Sequence, residues 1–184
     1  SQVQNNKLSC VPEPRSAACM VYNENLDCII VHGGGQWSKT GGMNGNGSWK
    51  ARFNSLHYFD VKTRRWFARE VPSSVASTSA RLPSAGTFPA MVTFDHYVLT
   101  LCGGTELGFS GEAHICNLLT GEWKLYYQLC NREFCDGIGM AVTNDALELF
   151  MYGGFSGVPR DMFMKVDFKW RKDAQAILEA KPVV

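Results

Sequence analysis

The chain has 184 residues, 45% of them hydrophobic and 19% charged, with a formal net charge of +1. This composition supports a packed core and excludes a disordered chain. The sequence contains no basic block and no apolar run near the roughly 18 residues of a membrane helix, so neither nucleic acid nor a membrane is expected as a partner. Eighteen glycines exceed the usual share of roughly 7% and indicate many turns.

The first structural unit is predicted over residues 11–71, and residues 1–10 are expected to supply the outer strand of a preceding unit. A run of small and apolar residues, Ser16 to Tyr22, leads through a polar turn into IIVHGGG, which stops on glycines. The next run, LHYFDV, leads to Trp66. Short apolar runs separated by turn residues predict four antiparallel strands.

The HGGG sequence also allows a catalytic interpretation, because it forms the backbone oxyanion hole of some esterases. Such an enzyme needs a nucleophilic serine in the pattern G-x-S-x-G. The nearest matches, GFSGE at 108–112 and GFSGV at 154–158, both lack the last glycine. The sequence therefore favours a structural strand end over an active site.

The same order of runs recurs in a second unit at residues 87–130 and a third at 131–170, after a Ser/Thr-rich connection at 72–86. The equivalent apolar runs end on Gly103-Gly104 and on Gly153-Gly154. A sequence repeat of this length predicts stacked copies of one supersecondary unit.

A second signature follows each glycine pair. Asn117 precedes Trp123 at the spacing that separates Asp60 from Trp66, while the corresponding spacing in the third unit is shorter. The Asp or Asn is expected to cap the turn with its side chain, and the tryptophan is expected to fill the space between adjacent units.

Glycine pairs and Asp/Asn-x5-Trp in register resemble the kelch repeat, whose units are the four-stranded antiparallel blades of a β-propeller. The resemblance implies an all-β, kelch-type propeller segment of three blades. Propellers close with about four to eight blades, so further blades are expected from a longer protein or from a partner chain. Residues 171–184 are predicted to form a short helix, ended by Pro182, and a tail.

The insertion at 35–53 is the most unusual surface segment, since its tryptophans lie among Gly, Asn and Ser. Exposed aromatic and basic residues are typical of binding hot spots, although both tryptophans folding back onto the blade is an equally good expectation. By resemblance to kelch propellers, loops after the glycine pairs and between blades line the same binding face. The predicted partner-binding residues are Trp37, Lys39, Trp49, Lys50, Arg52, Arg81, Glu106 and Arg160.

No catalytic residue, metal or cofactor is predicted. His114 and Cys116, with Cys130 and Cys135, lack the spacing of zinc ligands. The seven cysteines, an odd number scattered through apolar runs, are expected to be buried reduced thiols of a cytoplasmic protein.

The predicted function is a non-catalytic scaffold or adaptor that binds protein partners through the loop face. Three alternatives stay open. The first is a metal-dependent or small-molecule enzyme whose channel site is completed by missing blades, and the second is a ubiquitin-ligase substrate receptor. The third is an extracellular domain carrying a glycan on Asn46, in the sequon Asn46-Gly47-Ser48.

Overall fold

The computed structural model describes residues 11–39, 47–68, 82–101, 103–128, 136–143 and 148–167. In these ranges the chain forms antiparallel β-strands and turns, with no helix. The all-β class predicted from the sequence is therefore confirmed. The predicted outer strand at 1–10 and the predicted helix at 171–184 lie outside the described residues.

The first sheet contains five strands, in the order β1-β2-β4-β5, with β3 paired to the far end of β2. Its small and apolar runs alternate between one buried and one more exposed face, as strands of this composition do. The strands are β1 (Ser16–Asn23), β2 (Cys28–Ser38), β3 (Ser48–Arg52), β4 (Leu56–Asp60) and β5 (Arg65–Ala68).

The second sheet has four strands in the order β11-β10-β7-β6, and a separate two-stranded hairpin, β8-β9, branches from it. The third sheet has three strands in the order β12-β13-β14 within the described residues, and a fourth strand near Trp170 would lie outside them. These strands are β6 (Ala90–Phe94), β7 (Tyr97–Leu101), β8 (Gly104–Thr105), β9 (Gly108–Phe109), β10 (Glu112–Asn117), β11 (Trp123–Gln128), β12 (Gly139–Val142), β13 (Glu148–Tyr152) and β14 (Phe163–Asp167).

The predicted caps hold the turns between the last strands of the first two sheets. Asp60 Oδ1 accepts a hydrogen bond from the backbone N–H of Thr63 at 2.7 Å. Asn117 Oδ1 accepts one from the N–H of Leu119 at 2.9 Å. In these turns a side-chain oxygen, instead of water, accepts the hydrogen bond of a backbone N–H group. This is the reason that Asp and Asn recur there.

The three sheets stack on one another in chain order. One core cluster joins the first and second sheets and contains Ile30, Tyr58 and Trp123, so the second tryptophan fills the space between units as predicted. The other cluster joins the second and third sheets through Leu99, Ile115 and their neighbours. The second sheet is thus covered on both faces.

The pairing register corrects the glycine alignment predicted from the sequence. Ser16 pairs with Gly35, Thr87 with Gly104 and Asp136 with Phe155. The preceding residues, Gly34, Gly103 and Gly154, are therefore equivalent, and Cys102 takes the place of the first glycine in the second unit.

Close backbone approach explains the glycine at these equivalent positions. A Cβ on Gly34 would lie 2.7 Å from the carbonyl oxygen of Ser16, and one on Gly103 would lie 2.5 Å from that of Phe88. No side chain fits at such distances, so glycine is required in the first and second units.

Successive sheets are joined by a line of backbone hydrogen bonds at the start of their first strands. The N–H of Phe88 donates to the carbonyl of Ala17 at 2.7 Å, and the N–H of Gly137 donates to the carbonyl of Phe88 at 3.0 Å. All three residues have positive φ, at 56°, 53° and 67° for Ala17, Phe88 and Gly137. Each unit therefore enters its first strand through the same left-handed bend and bonds to the unit before it.

Candidate protein-binding surface

The stacked sheets have two edges of different character. At one edge, β2, β7 and β13 run out through their glycines, and we call it the glycine edge. At the other edge lie the short turns capped by Asp60 and Asn117, and we call it the turn edge. The residues predicted to bind a partner, apart from Arg81 in the connection between units, were placed after the glycines, so they belong to the glycine edge.

The insertion is more ordered at its two ends than the sequence predicted. β2 does not stop at its glycines but continues to Ser38, where it pairs with β3. Trp37 lies directly opposite Trp49 in this ladder, which follows a register shift between Gln36 and Trp37. The strand that was predicted to stop on its glycines therefore continues into the insertion, where a tryptophan pair across two strands stabilises a hairpin stem.

The two tryptophans have different surroundings. Their rings meet edge to face at 5.2 Å, and Trp49 makes a second edge-to-face contact with Phe88 at 6.3 Å. Trp37 remains 50% exposed, while Trp49 is partly buried over Gly35. The sequence left two expectations open for these tryptophans. Trp49 folds back onto its own sheet, whereas Trp37 keeps an exposed ring that a partner could contact.

Phe88 is the functional candidate that the sequence did not reveal. It has a positive φ of 53°, which is rare for a bulky residue and costs of order 1–3 kcal/mol. Phe88 is 47% exposed, although the strand that begins two residues later, β6, is mostly buried. The Thr87-Phe88-Pro89 sequence gives no sign of this, because a left-handed bend at phenylalanine is imposed by the hydrogen bonds to neighbouring sheets.

A groove of about 630 Å³ lies beside Trp37. Arg15 and Lys50 line it on the polar side, together with backbone of the first sheet. The Arg15 guanidinium is held in place, since it donates to the carbonyl of Gly33 at 3.0 Å and to Ser55 Oγ at 3.1 Å. It also lies 4.3 Å from the centre of the Phe53 ring. A fixed cation, a mobile cation and an exposed indole suit a negatively charged peptide segment.

A second groove, of about 530 Å³, is lined by Phe88. Phe155 and Pro159 of the third unit line it too, together with Asp136. Burial raises the pKa of the Asp136 carboxyl above its usual value. Trp37 lines the first groove and Phe88 the second, so the strip Trp37, Trp49, Phe88, Phe155 connects the two grooves and includes residues of all three units.

The remaining predicted residues are only partly brought together. Arg52 lies 4.0 Å from Glu106, which links the first unit to the tip of the β8-β9 hairpin. Arg160 is exposed and bonds to Ser156 Oγ at 2.7 Å, within its own loop. Lys39 is exposed, and Arg81 lies outside the described residues.

Several buried polar side chains lie behind the strip. His32 is buried in the first inter-sheet cluster, with its ring 5.5 Å from that of Trp123. The pKa of His32 is lowered to about 4, chiefly by burial and to a smaller extent by the nearby His114 and Arg15. In the described ranges, no group of three or more His, Cys, Asp or Glu is placed to hold a metal ion.

Comparison with known proteins adds no evidence about function, so the functional proposal depends on this geometry. No family model matches the chain, and a search of curated proteins found no match. Among the residues whose structure is described, no helix has the length and apolar character to cross a membrane.

Proposed function

We propose that the chain is a segment of a kelch-type β-propeller and binds protein partners through its glycine edge, as a scaffold without catalysis. The observation that carries this proposal is the aromatic strip, whose residues line both grooves. Partly exposed aromatic rings that are fixed by their neighbours are the usual anchors of protein interfaces, because they bury large area at a small cost in conformational entropy.

The propeller part of the proposal is supported by the arrangement of the sheets. Each described sheet is a meander of consecutive strands, and β6 contacts both β1 and β12. First strands that lie side by side, with later strands farther along each sheet, are what blades around an axis require. The line of hydrogen bonds from Ala17 through Phe88 to Gly137 follows the same path.

The partner chemistry follows from the groove beside Trp37. Arg15 is fixed over Phe53, and Lys50 is exposed and lines the same groove. An extended segment with one aromatic or aliphatic side chain and neighbouring acidic residues would use both features. Cys28 and Cys116 are buried, as the reduced thiols of a cytoplasmic protein are expected to be. A substrate receptor of a ubiquitin ligase is one scaffold of this kind.

The test uses a photo-crosslinking amino acid at position 37 and a matched control at Leu119. Both side chains are 50% exposed, but Leu119 lies at the turn edge. We expect a specific crosslinked partner from position 37 in cells and none from position 119. Competition by an acidic peptide from that partner should remove the crosslink, and Lys50→Glu should weaken it by about tenfold.

Equal crosslinking from positions 37 and 119 would contradict the proposal, as would a partner retained in full by Trp37→Ala combined with Phe88→Gly. Glycine is the correct replacement at position 88, because it accepts the positive φ that alanine would strain. A loss of binding in the Phe88→Gly variant would then be due to the missing ring and not to backbone strain.

A further inference from the structure

The pair of residues that opens the third unit differs in chemistry from the equivalent pairs of the first two units. In the third unit a carboxylate is paired with an aromatic ring, since Asp136 pairs with Phe155. In the first two units a residue with a side-chain hydroxyl pairs with a glycine. These equivalent pairs are Ser16 with Gly35 and Thr87 with Gly104.

The hydroxyls of the first two units form a hydrogen bond that the third unit cannot form. Ser16 Oγ donates to the carbonyl of Gly35 at 3.4 Å, and Thr87 Oγ1 donates to the carbonyl of Gly104 at 3.2 Å. An ionised carboxylate has no hydrogen to donate to the opposite carbonyl. The role that this position has in the first two units therefore does not account for Asp136.

Backbone hydrogen bonds hold this carboxylate and two aromatic rings around the second groove. Asp136 and Phe155 exchange both of their N–H···O bonds, at 3.1 and 2.9 Å, so their side chains lie on the same side of the pair. The N–H of Gly137 donates to the carbonyl of Phe88 at 3.0 Å, and Phe88 lines the same groove. Phe155 is 46% exposed, almost as much as Phe88. The groove therefore presents two half-exposed rings beside a partly buried carboxylate.

The negative charge of Asp136 is not balanced by a cation of the described residues. The ion pairs that lysine and arginine form in the described ranges involve other carboxylates. Arg160, in the same loop as Phe155, donates to Ser156 Oγ at 2.7 Å instead. Partial burial raises the pKa of the Asp136 carboxyl, as expected of a charge that has lost water and gained no cation. A ligand that brings a positive charge into the groove would offset this cost.

We propose that the second groove binds an arginine side chain of the protein partner, with the guanidinium on the Asp136 carboxylate and its flat face against the rings of Phe88 and Phe155. This inference rests on the proposed function, because it takes the ligand of the glycine edge to be a protein. The first groove is lined by Arg15 and Lys50, so the two grooves select opposite charges on the partner.

Arginine fits the groove better than lysine does. A planar guanidinium can stack on an aromatic ring and still donate two hydrogen bonds to a carboxylate, whereas an ammonium group is a compact, strongly hydrated charge. The chain itself stacks a guanidinium on a phenylalanine, since Arg15 lies 4.3 Å from the centre of the Phe53 ring. The methylene groups of the bound arginine would lie against the apolar remainder of the groove, which includes Pro159.

The first measurement is an NMR titration of the purified full chain with a pentapeptide, Gly-Gly-Arg-Gly-Gly, capped at both ends. The control peptide carries citrulline in place of arginine, which keeps the shape of the side chain and removes its charge. We expect the arginine peptide to shift the amide signals of Gly137 and Phe155 and to bind about tenfold more tightly than the citrulline peptide. A peptide with lysine should bind more weakly than the arginine peptide. Equal affinities for arginine and citrulline, or tighter binding of lysine, would overturn the proposal.

Two variants that place residues of the second unit in the third provide the sharper test. Asp136→Thr introduces the residue found at Thr87, and Phe155→Gly introduces the residue found at Gly104, so the second unit already folds with both. Asp136→Thr should lower the affinity for the arginine peptide to that for the citrulline peptide, and Phe155→Gly should lower it about threefold.

Asp161→Asn is the matched control, because it removes an exposed carboxylate of the same loop that does not line the groove. This variant should bind the arginine peptide as the unaltered chain does. An arginine affinity that Asp136→Thr leaves unchanged, or that Asp161→Asn lowers as much as Asp136→Thr does, would contradict a specific site.

The outcome is separate from that of the crosslinking experiment, because Asp136 lines the second groove and Trp37 lines the first. Equal affinities for the arginine and citrulline peptides, together with a partner that crosslinks from position 37, would refute the arginine site and leave the binding surface standing. Selective arginine binding with no crosslinked partner would contradict the proposed function, although the groove would still select arginine.

Discussion

The second sheet and the two outer sheets are built from equivalent strands, yet their surroundings differ. The second sheet lies between two others, and residues such as Val98 and Ile115 are completely buried on its opposite faces. Each outer sheet has one buried face and one more exposed face, on which Met20 is 66% exposed in the first sheet and Tyr152 is 60% exposed in the third. The comparison shows that each repeat unit has two faces that can pack against neighbouring units. A face contributes to stability only where a neighbour covers it.

The equivalent methionines give the largest expected difference. Met91→Ala should lower the free energy of unfolding by about 2–5 kcal/mol, because it leaves a cavity between two sheets. Met20→Ala should change the free energy of unfolding by about 0.5 kcal/mol or less, because the Met20 side chain is mostly exposed. Urea unfolding of both variants measures the difference. Equal costs would show that the two faces have the same surroundings, contrary to the structure.

The contact between the first two sheets is expected to weaken in acid. In the folded chain the pKa of His32 is about 4, below its ordinary value of 6.5, chiefly because the ring is buried. The unfolded chain therefore binds a proton more readily, and stability is full above pH 6.5 and falls as the pH drops toward 4. The loss should approach about 3 kcal/mol and level off below pH 4.

His32→Leu is the matched control for this acid effect, because Leu101 fills the equivalent position in the second unit. The variant should unfold with a smaller dependence on pH between 6.5 and 4, as measured by urea titrations at several pH values. An unchanged dependence would assign the acid effect to other groups.

A smaller effect is expected at the turn edge, where local bonds matter more than neighbouring sheets. Asn117→Ala removes the acceptor for the N–H groups of Leu119 and Thr120, and should cost about 1 kcal/mol. Asn117→Asp keeps an acceptor oxygen and should retain most of the stability. If the alanine and aspartate variants unfold at the same urea concentration, the cap contributes nothing.

The turn caps and strand runs were predictable from sequence because both depend on residues close together in the chain. Asp60 and Asn117 bond to donors two or three residues away, and apolar runs reveal strands by their own composition. The left-handed bend at Phe88 and the offset caused by Cys102 were not predictable. Both are fixed by pairing between distant segments, such as Thr87 with Gly104, which no local pattern records.

The candidate surface was predictable to a similar extent. Trp37 and Trp49 stood out by composition, but their pairing across β2 and β3 depends on a register that continues through three glycines. Arg15 was missed because a single arginine near a strand start has no distinctive pattern. Its role appears only when Gly33 and Ser55 lie within reach of its guanidinium.

The smallest expected effect concerns the link between the first two units at the glycine edge. Arg52 is largely buried, but Glu106 is 85% exposed at a distance of 4.0 Å, so water screens most of the attraction. A double-mutant cycle with Glu106→Gln and Arg52→Met should give a coupling energy of about 0.2–0.5 kcal/mol that disappears in high salt. A coupling well above this range would show that the hairpin tip stabilises the stacking of the sheets. The Arg52–Glu106 pair would then have to be counted with the buried side chains of Met91 and His32 when the stability of the contact between the first two sheets is explained.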